Sequence, residues 1–215
     1  MESVLAEAIA LLDEAGEPAL TFRALAARLG GGVASVYWYI SSKEELLDRA
    51  TDEVMGRVLA DTEELADGPD PIANLRALSL ALFDHMVQRP WFGSYMLRNT
   101  GLQPNSMRMF ERLGQQVMRL DLTPKQRFHA VSSIVSYVVG VATDLAQPPP
   151  QEFLDSGLEP AEFMKMYADR WRALDPEDYP FVHQIADEFA HHDDGDVFRS
   201  GLDLLLTGLR AQADA

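Results

Sequence analysis

The sequence predicts an all-α protein: a three-helix head joined by a long fourth helix to a larger helical body. Three observations predict it. Apolar residues recur with a helical period along most of the 215 residues, and no stretch alternates as a strand. Proline, glycine and hydroxyl residues stand where helices would start and stop. The segment Thr21 to Lys43, TFRALAARLGGGVASVYWYISSK, reads as two short helices about a glycine turn and the capped start of another.

Val4, Leu5, Ala8, Ile9, Leu11 and Leu12 give a first amphipathic helix that ends near Gly16. Thr21 caps a second helix through Leu29, Gly30-Gly31-Gly32 make a turn, and a third helix covers 33–40. Leu25, Leu29, Val36 and Trp38 are expected to pack inward. Ser42 caps the fourth helix, and Glu45 three residues on completes a capping-box pattern. That helix runs to the breaker Asp67-Gly68-Pro69-Asp70-Pro71. The domain boundary falls on it near Asp48, giving a head of residues 1–48 and a body of residues 49–215. Further helices are expected near 71–88, 91–99, 104–120, 124–146, 160–173, 180–191 and 196–212. A loop is expected over 147–159, after Pro148-Pro149-Pro150 stops a helix.

Composition excludes several classes. There is no Cys, hence no disulfide and no thiol catalysis. No uninterrupted apolar run approaches the roughly 18 residues of a membrane span. MESVLAEAIALL lacks the positive region of a signal peptide, so a cytoplasmic protein with no membrane partner is expected. The chain has no HExxH, GxSxG, Walker loop or dinucleotide fingerprint. No catalytic residue and no cofactor is therefore assigned, and an enzyme built around His129 is set aside. His191-His192-Asp193-Asp194-Gly195-Asp196 carries ligand-type residues, but its acids also suit the start of the last helix, and no metal is assigned.

The net charge of −16 opposes phosphate binding by the chain as a whole. Distribution matters more than the total. Residues 18–43 hold no Asp or Glu but carry Arg23, Arg28 and Lys43. Residues 85–109 and 122–143 are also free of acids, so the case for DNA rests on layout. The layout is that of a helix-turn-helix, whose second helix offers its first side chains to base edges. Arg23 can fork to guanine O6 and N7. Val33, Ala34 and Ser35 open the recognition helix, with small surfaces for a thymine methyl and one hydroxyl. Tyr37, Tyr39 and Lys43 have the reach for phosphates, and Thr21 can donate to one as well as cap. Arg28 is read as a solvated charge.

ALTFRALAARLG followed by SVYWYISSKEELLDRATDEV resembles the N-terminal domain of the tetracycline-repressor (TetR) family over about the first 55 residues. The resemblance implies a base-reading arginine at Arg23. Gly31 and Gly32 depart from the apolar residue and hydroxylic cap usual in the family, and Tyr39 replaces its histidine. HAVSSIVSYVVGVATDLAQ and DVFRSGLDLLLTGLRAQ are similar to the family's two dimerisation helices. A homodimer through helices near 124–146 and 196–212 is thus expected, with paired heads matching a palindromic double-stranded DNA operator.

The body is rich in large soft side chains suited to a mostly apolar pocket. Residues assigned to a ligand are Phe83, Met86, Trp91, Tyr95, Arg98, Phe110, His129, Ser133, Tyr137, Phe163 and Tyr167. In the tetracycline repressors a middle-region histidine chelates drug-bound magnesium. No histidine lies between Gln88 and Lys125 here, so metal–tetracycline recognition is not expected. The resulting expectation is a ligand-responsive homodimeric repressor, released by a small, mostly apolar or aromatic inducer. The alternative is a small-molecule-binding protein on the same fold with weak or lost operator binding.

Overall fold

A computed structural model describes residues 2–98 and 102–215. Every regular element among the described residues is helical. The chain divides into two compact units, 1–146 with 202–215, and 147–201. The expected line at Asp48 lies inside one helix, and the compact units divide elsewhere.

In the first unit, α1 (Glu2–Ala19) bends at Gly16, where φ is 69°. Pro18 follows, so regular helical geometry ends where the sequence predicted. Helix α2 (Phe22–Arg28) starts on Thr21, whose hydroxyl accepts the Ala24 N–H at 3.1 Å. Helix α3 (Val33–Tyr37) is three residues shorter than expected. Beyond its end the Tyr39 and Ile40 N–H groups both donate to the Val36 carbonyl. Ser41 and Ser42 then begin α4 (Lys43–Asp61), with Ser42 Oγ accepting Glu45 N–H and the Glu45 carboxylate accepting the Ser41 N–H at 2.7 Å. Ala8, Leu12, Leu25, Val36, Ile40, Leu46 and Ala50 form the buried centre of the head. Burying each leucine contributes roughly 1.5–3 kcal/mol.

Trp38 is a correction to the sequence reading: it is 88 % exposed. It sits one residue past the end of a five-residue helix, so the periodicity that turns Val36 inward no longer applies. Leu29 is half-buried. Helix α4 also ends earlier than expected, at Asp61 with Thr62 as its C-cap, and a 3-10 turn follows over Glu64–Ala66.

Four helices follow in the same unit: α5 (Pro71–Gln88), α6 (Pro90–Arg98), α7 (Pro104–Met118) and α8 (Pro124–Leu145). Each opens on proline, which has no N–H to leave unpaired in a first turn. Leu75, Leu78, Leu82, Met86, Phe92, Leu113 and Val138 form their shared core. Residues 202–215 belong to α12 (Asp194–Ala213) and its tail, and bury Leu202, Leu206 and Leu209. Arg210 with Asp70 and Arg76 with Asp203, each at 2.6 Å, tie this end of α12 to α5.

The second unit holds α9 (Gln151–Ser156), α10 (Pro160–Arg172) and α11 (Pro180–His191). Helix α9 lies where a loop was expected. It is one and a half turns long, too short for a period to register, and stops at Gly157 with φ 66°. Trp171 of α10 stacks on Phe189 of α11, ring centres 3.9 Å apart.

Candidate nucleic-acid interface and ligand cavity

The head presents an exposed polar and aromatic edge over a fixed apolar base. Thr21, Arg23, Ala34 and Ser35 are exposed, Val33 is at the margin of exposure, and Tyr37 and Tyr39 are 59 % and 47 % exposed. Beneath them Leu25, Val36 and Ile40 are closed to solvent. The Tyr37 ring meets Phe22 edge-on at 4.7 Å, tying the end of α3 to the start of α2. Ser35 Oγ donates to the Gly32 carbonyl at 2.5 Å, so the hydroxyl at the mouth of α3 is held in place. The exposed Trp38 adds a flat surface that the sequence reading missed.

The two other cations of the segment are engaged within the head. Arg28 pairs with Glu14 and Glu7 of α1, and the pairing holds the Glu14 carboxyl below its ordinary value. It is an ion-paired charge, not a free one. The half-buried Lys43 donates from Nζ to the Glu17 carbonyl at 2.7 Å, closing the C-terminal end of α1. Of the basic residues assigned to the segment, Arg23 has the most freedom to meet a base.

Three residues assigned to a ligand join α6 to the head. Trp91 Nε1 donates to Asp13 at 2.6 Å, and Arg89 reaches the same carboxylate at 3.3 Å. Tyr95 Oη donates to Asp48 at 2.9 Å, and Arg98 pairs with Glu17. Helix α7 grips the same rail of α4: Gln103 Nε2 donates to Asp48 at 2.7 Å, and the Asn105 N–H donates to Asp52 at 2.7 Å. Gly56 lets Asn105 approach, since a Cβ there would stand 3.0 Å from its amide nitrogen.

Behind this junction lies a cavity of about 390 Å³, lined by Met55, Leu82, Met96, Ser106, Met107, Met109, Phe110, Ser132, Val135, Ser136 and Val139. Of the residues assigned to a ligand, Phe110 lies on it. Phe83 and Met86 are buried on α5. Tyr137 is half-buried on α8, and burial pushes its hydroxyl above its ordinary pKa. His129 and Ser133 line a different groove, between α8 and α12, with Ala130, Ile134, Leu204, Leu205, Gly208 and Leu209. Phe163 and Tyr167 belong to the second unit, in an aromatic group with Phe153, where Tyr167 Oη donates to Glu152 at 2.6 Å.

The α8–α12 groove is apolar and open, with Leu204 76 % exposed. A Cβ at Gly140 or Gly208 would meet no atom within 4 Å, so both helices offer small, unobstructed positions. Helix α8 is long and apolar enough by composition to cross a membrane, which the sequence reading did not anticipate. In the second unit the imidazoles of His191 and His192 meet the Asp187 and Phe189 carbonyls at 2.9 and 2.7 Å. No group of three metal-ligating side chains is assembled among the described residues.

Comparison with known proteins gives two family matches. Residues 4–50 match the model for bacterial regulatory proteins of the tetR family, and residues 67–213 match the tetracyclin repressor-like C-terminal domain. The chain is 29 % identical to the HTH-type transcriptional repressor DrrR1 of Streptomyces coeruleorubidus, covering 97 % of this chain and 76 % of that protein. The transcriptional regulator SCO7222, a TetR from Streptomyces coelicolor, superposes with a TM-score of 0.82 at 34 % identity, covering 99 % of this chain and 98 % of that one. ActR of the same organism, in complex with actinorhodin, shares the fold with a TM-score of 0.80 at 21 % identity, covering 100 % and 98 % of the two chains.

Proposed function

The chain belongs to the tetR family of bacterial transcription regulators, and from that premise we propose that it is a homodimeric, ligand-released repressor of a palindromic operator. One observation carries the reading. The exposed row of Thr21, Arg23, Val33, Ala34, Ser35, Tyr37 and Tyr39 stands on a rigidly packed base, as a base-reading surface requires.

The dimer forms across the α8–α12 groove, where two copies of each helix make a four-helix bundle about a two-fold axis. This pairing also accounts for the apolar exposed face of α8, so no membrane partner is invoked and the protein works in the cytoplasm. A small, mostly apolar or aromatic inducer occupies the 390 Å³ cavity. Met96 of α6 and Ser106 of α7 line that cavity, while Tyr95, Gln103 and Asn105 beside them hold α4. A ligand that displaces α6 or α7 therefore changes how the head is held, which is the differential contact that coupling needs.

A second reading, a ligand-binding protein with weak operator affinity, is favoured by the net charge of −16 and by the engagement of Arg28 and Lys43 within the head. Titration of the purified dimer with a palindromic operator at two salt concentrations separates the two. Sequence-specific, salt-sensitive binding supports the repressor. Binding no tighter than to random duplex would leave the second reading.

A further inference from the structure

We infer that the cavity between α4, α5, α6, α7 and α8 selects an uncharged, flat aromatic molecule with a hydroxyl or carbonyl on its edge, and takes it without a metal ion. This rests on the reading of that cavity as the inducer site and adds the chemistry of the inducer.

Among the described residues the lining carries no Asp, Glu, Lys, Arg or His. A carboxylate or ammonium entering it would leave water and find no counter-charge, which disfavours it strongly. A metal-bridged ligand is disfavoured for the same reason, since serine hydroxyls and thioethers are poor partners for a hard cation.

The walls suit an aromatic ring. Met55, Met96, Met107 and Met109 supply four polarizable thioethers, and sulfur packs favourably against ring edges. Unbranched methionines also adjust to a flat guest. Phe110 and Met107, 37 % and 46 % exposed, form the rim, while Met55, Leu82, Met109 and Val139 form the buried floor. The volume is that of a small ligand site.

The polar groups are few and placed on two walls. Ser132 and Ser136 stand one turn apart on α8, so their hydroxyls share one face. Ser106 lies on α7, buried, and its hydroxyl faces Met96 Sδ at 3.9 Å. A thioether is a weak acceptor. A ligand hydroxyl or carbonyl is a better partner for Ser106 than the sulfur it now meets.

The test uses three anthracenes that share one ring system. 9-Anthracenemethanol is neutral, 9-anthracenecarboxylate is an anion and 9-(aminomethyl)anthracene is a cation at neutral pH. Each is titrated by its own fluorescence into the full-length protein, with and without magnesium. The neutral compound is expected to bind at least ten-fold tighter than either ion, with no effect of magnesium. Val135→Trp, which fills the cavity, should weaken it at least ten-fold. Ser132→Leu, at a half-exposed position, gives the same result if the first variant fails to fold by circular dichroism. Ser106→Ala should reduce the preference for 9-anthracenemethanol over 9-methylanthracene. Equal binding of an ion, enhancement by magnesium, no binding of the neutral compound, or binding indifferent to the cavity variants would each overturn the inference. Operator binding is read separately, by anisotropy of labelled duplex without ligand. Its failure would sink the repressor reading and leave the cavity's chemistry standing.

Discussion

Lys43, the first residue of α4, donates its ammonium to the carbonyl of Glu17 at the end of α1, 2.7 Å away. One of the three residues expected from sequence to reach a phosphate is thus a strut of the head. Lys43→Ala should lower stability by about 1–3 kcal/mol, as loss of a charged hydrogen bond does. If Lys43 also meets DNA, the slope of log affinity against log salt falls by about one. Thermal melting reads the first effect and operator titration over a salt series reads the second. An unchanged slope would make Lys43 a strut only.

Arg23 is exposed on the edge proposed to read bases, and it makes no ion pair among the described residues. Arg23→Ala should cost about 1–3 kcal/mol on the cognate site and relax preference at one base pair. Competition with operators mutated singly at each position checks this. Equal loss on every sequence would identify a phosphate contact instead.

Trp38 is the exposed tryptophan of the chain's three; Trp91 is buried and Trp171 half-buried. Operator binding should alter the emission of Trp38 by covering or stacking on it. Trp38→Phe should abolish that change while the signals of the other two remain. Emission that responds equally in the variant would place Trp38 away from the DNA.

The three glycines of the turn are not equivalent. Gly30 alone adopts a left-handed conformation, φ 66°, so Gly30→Ala should destabilise by roughly 1–2 kcal/mol. Gly32 is the N-cap of α3 with open space around it, so Gly32→Ser should add a few tenths of a kcal/mol by capping. In the unaltered protein, amides of 30–36 should exchange faster than those of α1, and Gly32→Ser should slow them. Exchange at 30–36 as slow as in α1 would show that the triple glycine leaves α3 firmly formed.

Asp70 caps α5 and pairs with Arg210 of α12, and Arg210 chiefly holds its carboxyl below the ordinary value of 3.8. With the folded pKa lowered, this stabilisation is complete above the unfolded value and is lost as pH falls through the folded one. The wild-type protein should therefore lose this contribution only in acid, below about pH 4. Asp70→Asn keeps the cap but removes the ion pair, and should flatten the acid limb of a melting-temperature profile without steepening it at neutral pH. An acid limb identical to the wild type would mean the pair contributes nothing.

The sequence by itself determined the helical class and the starts of most helices. Those signals are local. Thr21, Ser42 and Thr123 cap in place because a hydroxyl and an N–H three residues apart need no tertiary partner. Leu25 and Val36 turn inward because one face of a short helix must be covered. Trp38 escaped this logic by lying past the helix end. The tertiary structure decided what the long-range partners are. Trp91, Tyr95 and Arg98 looked like pocket residues by type, yet their partners Asp13, Asp48 and Glu17 stand 47 to 81 residues away and turn them toward the head. Ser106, Ser132 and Ser136 carried no signal, since a lone serine on a helix is ordinary until α7 and α8 are brought face to face. Side-chain type and period are encoded residue by residue, whereas a cavity exists only where several helices fail to touch.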